Sequence, residues 1–109
     1  MGSFTVGTVV LVAFPYADFS KFKKRPAMVI GEAEFDNLIL CQITSKAETS
    51  KKAITLTDAD FTVGGLHLDS FIRPDKIFTV EPSVIEAQAG SLRSAKVEMV
   101  RLQVRQLFS

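Results

Sequence analysis

Three side chains in this sequence, those of Arg25, Thr44 and Arg73, are of types that can bind phosphate groups, and Asp75 supplies a carboxylate near the last of them. Arg25 precedes Pro26, and the proline pushes the arginine backbone into an extended conformation. A guanidinium presented in this way can give two parallel hydrogen bonds to a phosphate, and the hydroxyl of Thr44 can add another. Arg73 and Asp75 are separated by one residue and supply a second cation and a carboxylate. Residues of these types are candidates for contacts with a phosphate-containing ligand.

The charge of the chain is nearly balanced but unevenly distributed. Thirteen basic and twelve acidic residues give a net charge of +1, which argues against a broad, non-specific binder of nucleic acid. Residues 21–25 nevertheless hold four basic side chains and no acid. Basic loops can flank a groove that binds phosphates, and aromatic residues among lysines suit stacking on single-stranded bases. The further candidates for such contacts are Lys21, Phe22, Lys23, Lys24, Gln42, Ser45 and Lys46.

All of these side chains also have ordinary structural explanations. An arginine before a proline at the start of a strand is usually a solvated edge charge, and a hydroxyl at a strand end is usually structural. Arg73 and Asp75 can form a surface ion pair worth about 0–1 kcal/mol. The lysines can simply keep loops solvated, and Phe22 can cap the core or pack in a dimer interface. Residue types alone therefore leave binding and structural roles open.

The single histidine and the single cysteine are weaker candidates. Histidine is the usual general base in enzymes, but His67 has no visible partner in the sequence, which is typical of a surface or packing residue. Cys41 alternates with Ile39 and Ile43, so we assign it to a buried strand face. One cysteine forms no internal disulfide and supplies too few ligands for a zinc site. We expect no metal and no cofactor.

Short strands must position the candidate residues. Residues 8–14 are rich in β-branched side chains, which is typical of a strand covered on both faces. The second face of a strand at 38–44 changes from leucine to Gln42 and Thr44, which predicts that Thr44 lies at a rim. Pro74 cannot donate a ladder hydrogen bond and predicts an edge or a bulge between two strand pieces. The other predicted strands are 27–30, 53–56, 70–73 and 76–80.

Loops and helices account for the rest of the chain. Residues 16–24 lack a hydrophobic period and predict an exposed loop, and residues 58–65 predict a turn-rich segment. Pro82 at a first helical position predicts a short helix over residues 83–87. Apolar residues recur at helical spacing after Ser94, which predicts an amphipathic helix with Ser94 as its N-cap. Together the predicted strands and helices indicate a mostly β (α+β) fold, which is a small barrel or rolled sheet with helical additions.

Length and composition limit the class of protein. The chain has 109 residues, which is enough for one domain over residues 1–109, and Met1-Gly2-Ser3 is consistent with an expression remnant. Hydrophobic residues make up 47% and charged residues 23%, which excludes a disordered or fibrous chain. The longest apolar run, residues 9–14, is far shorter than the roughly 20 residues of a membrane helix. We expect a cytoplasmic protein that contacts no membrane.

Several short segments follow one another in an order that identifies a family. They are Gly7, Val9-Val10-Leu11-Val12, Phe14-Pro15-Tyr16, Lys23-Lys24-Arg25-Pro26-Ala27-Met28-Val29, Cys41-Gln42-Ile43-Thr44-Ser45, Gly65-Leu66, Ser70, Arg73-Pro74-Asp75-Lys76-Ile77-Phe78-Thr79 and Gly90-Ser91-Leu92. In this order they resemble the PemK/MazF toxins, metal-independent endoribonucleases (mRNA interferases) of type II toxin–antitoxin systems. The resemblance covers about residues 7–107. Thr8 stands where the family commonly has aspartate, and Pro74 is unusual between Arg73 and Asp75.

The resemblance implies both a fold and a reaction. The fold is a small SH3-like barrel of the CcdB/PemK/MazF type, with five to seven strands, a short helix and a C-terminal amphipathic helix. The reaction is sequence-selective cleavage of single-stranded RNA by 2′-hydroxyl attack, leaving a 2′,3′-cyclic phosphate and a 5′-hydroxyl. The catalytic residues carried over are Arg25, Thr44, Arg73 and Asp75. Because arginine keeps its proton, we expect Asp75 to be base or substrate clamp and the other three to stabilise the phosphorane.

Two other functions remain open at this point. The related CcdB toxins share the barrel but bind DNA gyrase through contacts that depend on a C-terminal tryptophan, whereas this chain has no tryptophan and ends in Leu107-Phe108-Ser109. A family member without activity would only bind RNA or a partner. For the ribonuclease, the resemblance implies a growth-regulating toxin. Its expected partners are single-stranded RNA, a second copy of the chain, and a cognate antitoxin whose disordered segment folds into the RNA groove.

Overall fold

Seven strands and one α-helix make up the part of the chain that a computed structural model describes. That part comprises residues 4–15, 22–46 and 51–109, with the backbone alone at 14, 15, 22 and 23. The elements are β1 (Thr8–Pro15), β2 (Phe22–Glu32), β3 (Leu38–Thr44), β4 (Ile54–Leu56), β5 (Phe61–Gly64), β6 (Ser70–Val80), β7 (Ile85–Leu92) and α1 (Ser94–Gln106). The mostly β fold with a C-terminal helix is confirmed.

The strands form one antiparallel sheet in the order β4-β6-β3-β2-β1-β7-β5. Leu56 of the edge strand β4 and Phe61 of the opposite edge strand β5 belong to the same buried cluster. The sheet must therefore curl until its two edges reach a common core. This half-barrel confirms the predicted rolled architecture.

Apolar clusters cover both faces of β1, as its β-branched residues predict. Val9 lies in the cluster that also contains Val100 of α1, whereas Val10 and Val12 lie in a second cluster with Ala27 of β2. These residues are at most 1% exposed, and Val100 is the buried residue by which α1 is anchored on the first cluster. Within the described residues, no helix is long and apolar enough to span a membrane.

Two of the predicted boundaries on the site side of the sheet are corrected. The loop predicted for residues 16–24 ends earlier, because β2 begins at Phe22 and its first residues pair with the end of β1. Polar residues can occur at this end of the β1–β2 hairpin, because only one of its two faces has to be buried. The two pieces around Pro74 are one strand with a bulge, since Cys41 pairs with Ile77 and Gln42 with Arg73. The three residues in between have no partner on β3, which accommodates the proline.

Three further predictions, all in the second half of the chain, are wrong. The helix over residues 83–87 is only a 3-10 turn at Pro82–Val84, followed by β7. The turn-rich segment 58–65 contains β5 after a 3-10 turn. Ser94 is the first helical residue rather than the N-cap, which is Arg93. In the first two cases pairing with a distant strand overrides the local pattern.

Substitution of Gly90 by alanine is expected to destabilise the fold by about 2 kcal/mol. A Cβ at Gly90 would overlap the carbonyl oxygen of Val63 and lie 2.9 Å from the ring of Phe61, at the point where β7 pairs with β5. Gly31→Ala is the matched control, because a Cβ there meets only Ile39, at 3.8 Å. Urea unfolding of both variants measures the difference. Equal midpoints would contradict the expected crowding at the β5–β7 ladder.

Candidate functional site

The register of β2 and β3 brings Arg25 and Thr44 to one end of the sheet. Ala27 pairs with Gln42, and Arg25 and Thr44 each lie two residues from that pair toward the same end of the sheet, on the same face as the pair. Arg25 also pairs with Val12 of β1, whose side chain is in the second apolar cluster. The buried face of these strands therefore continues into polar residues toward the end of β3. This arrangement agrees with the predicted change of the second face of β3 from apolar to polar.

A cleft of about 360 Å³ opens at this end of the sheet and is called the rim cleft below. It contains two cations and three hydroxyls among apolar side chains. Its lining comprises Leu11, Lys24, Arg25, Pro26, Ile43, Thr44, Ser45, Leu66, His67, Leu68 and Ser70. Such a composition suits an anionic ligand that also has flat or apolar parts.

Thr44 is held in place by the turn that ends β3. Its side-chain oxygen accepts a hydrogen bond from the backbone N–H of Lys46 at 3.2 Å, and the residue is 9% exposed. A hydroxyl that accepts one bond can still donate its own hydrogen. Thr44 is thus a fixed potential donor at the edge of the cleft.

Arg73 and Asp75 form a two-pronged ion pair on β6, outside the described lining of the cleft. Arg73 Nε donates to Asp75 Oδ1 at 2.9 Å, and Arg73 Nη2 donates to Oδ2 at 2.8 Å. This hydrogen bonding from Arg73 lowers the pKa of Asp75 below its ordinary value and raises that of Arg73. A carboxylate held ionised in this way is a poor proton acceptor, which argues against Asp75 as the base. It instead fixes the direction of the guanidinium, whose residue lies opposite Gln42 on β3.

We expect Asp75→Asn to cost less than about 1 kcal/mol of stability at pH 7, since the pair is partly exposed. Because the pKa of Asp75 is lowered in the folded state, its contribution is present above the ordinary aspartate range and is lost as pH falls through the folded value. Urea unfolding between pH 7 and pH 2 measures this. The exposed Asp69→Asn is the control. A deficit in Asp75→Asn that is equal at every pH would contradict the ion-pair explanation.

The other predicted contact residues are distributed unevenly. Lys24 and Ser45 line the rim cleft with Arg25 and Thr44, although strand alternation places the first two on the opposite face from the second two. Gln42 lies half-buried between Ala27 and Arg73 on the neighbouring strands. Lys46 is exposed just beyond Thr44 and is not in the described lining of the cleft. Lys21 lies outside the described residues. Phe22 and Lys23 are described by their backbone alone.

Cys41 is part of the core, as predicted. It is fully buried beside Ile43 in the cluster under α1. Burial raises the pKa of its thiol to about 12, and the negative charge of Asp75 adds to the shift. The residue is therefore not a nucleophile at neutral pH.

His67 is the residue whose position the sequence pattern does not reveal. It lies on the loop between β5 and β6, is exposed, and lines the rim cleft together with Arg25 and Thr44. The only sequence signal is its place three residues before Ser70, which also lines the cleft. The chain thus brings its one imidazole to the predicted phosphate-binding residues.

The sequence of the chain matches a protein-family model over residues 5–108. That model describes the PemK-like, MazF-like toxin of type II toxin–antitoxin systems. No curated protein sequence matches significantly.

Solved structures share the architecture at low sequence identity. One is an endoribonuclease in complex with its cognate antitoxin from a mycobacterial species, with a TM-score of 0.75, 12% identity, and coverage of 99% of this chain and 95% of that chain. Another is MazE–MazF from Deinococcus radiodurans, with a TM-score of 0.77, 21% identity, and coverage of 99% and 97%. A third is the Mycobacterium tuberculosis toxin MazF-mt6, with a TM-score of 0.70, 14% identity, and coverage of 93% and 95%.

Proposed function

Because the chain belongs to the PemK-like, MazF-like toxin family of type II toxin–antitoxin systems, we propose that it is a metal-independent endoribonuclease. Its substrate is single-stranded RNA, and it acts as a growth-regulating toxin. The 2′-hydroxyl attacks the adjacent phosphorus, and the products carry a 2′,3′-cyclic phosphate and a 5′-hydroxyl. Two of the similar structures are named as endoribonuclease or toxin, which agrees with this activity.

The observation that carries the proposal is the chemistry of the rim cleft. Arg25 and Thr44 line it together, and Lys24 adds a second positive charge. A phosphorane has more negative charge on its equatorial oxygens than the ground-state phosphodiester, so fixed donors at those oxygens lower the barrier. Arg25 and Thr44 are the donors, and Lys24 holds the neighbouring phosphates.

Arg73 and Asp75 have supporting roles in this proposal. Arg73 pairs with Gln42, two residues before Thr44 on β3, and in this proposal its guanidinium contributes positive charge to the phosphorane. Asp75 holds that guanidinium through two hydrogen bonds of 2.9 and 2.8 Å. In this proposal Gln42, which pairs with Arg73, contacts the RNA, and so do Ser45 and Lys46, which follow β3.

The test is incubation of the purified protein with a mixed-sequence single-stranded RNA in EDTA, followed by mapping of the ends. Discrete cuts with cyclic phosphate and 5′-hydroxyl ends are expected. The same RNA with 2′-O-methyl groups should stay intact, because it lacks the nucleophile. Intact unmodified RNA would refute the activity, and a complex with DNA gyrase in the same preparation would favour a CcdB-like toxin.

The proposed partners follow from the family and from the similar structures. One of these structures contains an endoribonuclease with its cognate antitoxin, and another contains MazE with MazF. We assign this chain a cognate antitoxin whose disordered segment folds into the RNA groove, and a homodimer as the working form. Action on cellular RNA places the protein in the cytoplasm.

Lys24→Ala should weaken binding of 2′-O-methyl RNA by a similar factor for every sequence. Lys24 is an exposed cation of the rim cleft, so its loss removes one phosphate contact without changing base recognition. The slope of log affinity against log salt concentration should fall by about 0.7. Fluorescence anisotropy over a salt series measures it. Arg105→Ala, an exposed cation on α1, is the control, and an equal loss there would point to unspecific attraction.

A further inference from the structure

Cleavage through the 2′-hydroxyl requires a proton acceptor, and the described lining of the rim cleft contains one side chain of that kind. The two lining cations are already protonated, and the three hydroxyls are weak bases. Every other lining side chain except that of His67 is apolar. An imidazole is the one group there that accepts a proton readily near neutral pH.

The carboxylate of Asp75 does not compete for this role. Asp75 is absent from the described lining, and both its oxygens accept bonds from Arg73. That pairing lowers the pKa of Asp75, which makes its carboxylate a weaker base. A group other than Asp75 must therefore accept the proton of the 2′-hydroxyl.

The loop that carries His67 is pinned on both sides. The backbone N–H of Gly65 donates to the carbonyl of Ala89 on β7 at 3.2 Å, and Ser70 Oγ donates to the carbonyl of Leu68 at 2.9 Å. His67 lies between these two points and is exposed, so its ring is open to a ligand in the cleft. A short, anchored loop limits the positions that the ring can adopt.

We propose that His67 is the catalytic base of the ribonuclease reaction, an inference that rests on the function proposed above. The neutral imidazole takes the proton of the 2′-hydroxyl as the bond from O2′ to phosphorus forms and the bond from phosphorus to O5′ breaks. The departing 5′-oxygen takes a proton from water at the open side of the cleft. The imidazolium then returns its proton to solvent, so that no other reagent is consumed.

The charged groups around His67 define the expected pH dependence. Lys24 and Arg25 of β2 line the cleft together with His67. The polar groups that β3 and β6 add to the described lining are hydroxyls. Asp69 lies two residues after His67 on the same loop. A general base accepts a proton only in its unprotonated form, so the rate of cleavage should fall in acid, and this fall should depend on His67.

The experiment compares His67→Gln and His67→Ala with Asp69→Asn, using a short RNA with one mapped cleavage site in single-turnover assays. Both histidine variants should cleave about 100-fold more slowly at saturating RNA, with unchanged affinity for 2′-O-methyl RNA. The fall in cleavage rate at acidic pH should be absent from both histidine variants. Added imidazole should partly restore the cleavage rate of His67→Ala. Asp69→Asn should behave like the unmodified protein.

Other outcomes identify other roles for the residue. A variant with normal rate at saturating RNA and weaker affinity would show that His67 only binds, which overturns the proposal. A substrate with sulfur in place of the bridging 5′-oxygen has a leaving group that needs no proton; full rescue of His67→Ala by it would make His67 the acid instead. If the unmodified protein fails to cleave, the proposed function itself is refuted, whereas normal cleavage by both histidine variants refutes only the base.

Discussion

Arg25→Ala should lower the rate of RNA cleavage about 1000-fold at saturating substrate, while the protein stays folded. Arg25 lines the rim cleft together with Thr44, on the same face of the sheet. A cation that acts on the developing charge of a phosphorane commonly contributes a factor of about 10³ or more, which corresponds to about 4 kcal/mol of transition-state stabilisation. Single-turnover assays with a mapped RNA measure the loss, because they separate the chemical step from product release.

Arg25→Lys is the informative companion variant. Lysine keeps the charge but replaces a planar fork by a point donor, so it should recover only part of the rate and remain about 10-fold or more below the unmodified protein. Arg101→Ala on α1 serves as the control for general loss of charge, since Arg101 is exposed and pairs with Glu98 at 3.7 Å. Near-normal cleavage by a folded Arg25→Ala protein would remove Arg25 from the mechanism. Circular dichroism and urea unfolding establish that the variant is folded.

Strands and helices with a regular alternation of apolar and polar residues can be predicted from the sequence, because the local pattern shows which side chains are buried. β3 has its predicted bounds, Leu38–Thr44, since its two faces differ in polarity along their length. α1 is likewise predicted by its apolar spacing, although Ser94 is helical rather than the cap. Family membership follows from the order of short segments and is confirmed by the match over residues 5–108.

Elements that depend on distant partners are not predictable in the same way. Residues 85–92 contain Glu86, Gln88 and alanines, which favour a helix, but they pair with β1 on one side and with β5 on the other. The energy of those ladders and of the buried Leu92 exceeds the weak local preference. The prediction of a short helix there failed because pairing across the sheet is invisible in a local window.

The residues of the candidate site show the same difference between features set by the local sequence and features set by distant contacts. Arg25 and Thr44 could be singled out because a proline and a strand end mark their positions in the sequence. His67 could not, because its place in the rim cleft depends on Gly64 pairing with Gly90 across β5 and β7. The positive φ of Gly64, 73°, belongs to the turn that sends the chain from β5 into the histidine loop. A long-range contact between two glycines thus brings an unremarkable loop residue to the phosphate-binding end of the sheet.

Thr44→Val should slow cleavage about 100-fold, because it removes one hydrogen-bond donor from the phosphorane and keeps the shape of the side chain. The stability cost should be small by comparison, since only the 3.2 Å, part-buried bond from the Lys46 N–H is lost. Thr44→Ser keeps the hydroxyl and should stay within about 10-fold of the unmodified protein, because it leaves the donor in place. The two variants therefore separate the donor from the methyl group, in single-turnover assays with the same mapped RNA. If valine and serine slowed the reaction equally, packing of the side chain rather than donation by its hydroxyl would account for the effect of position 44.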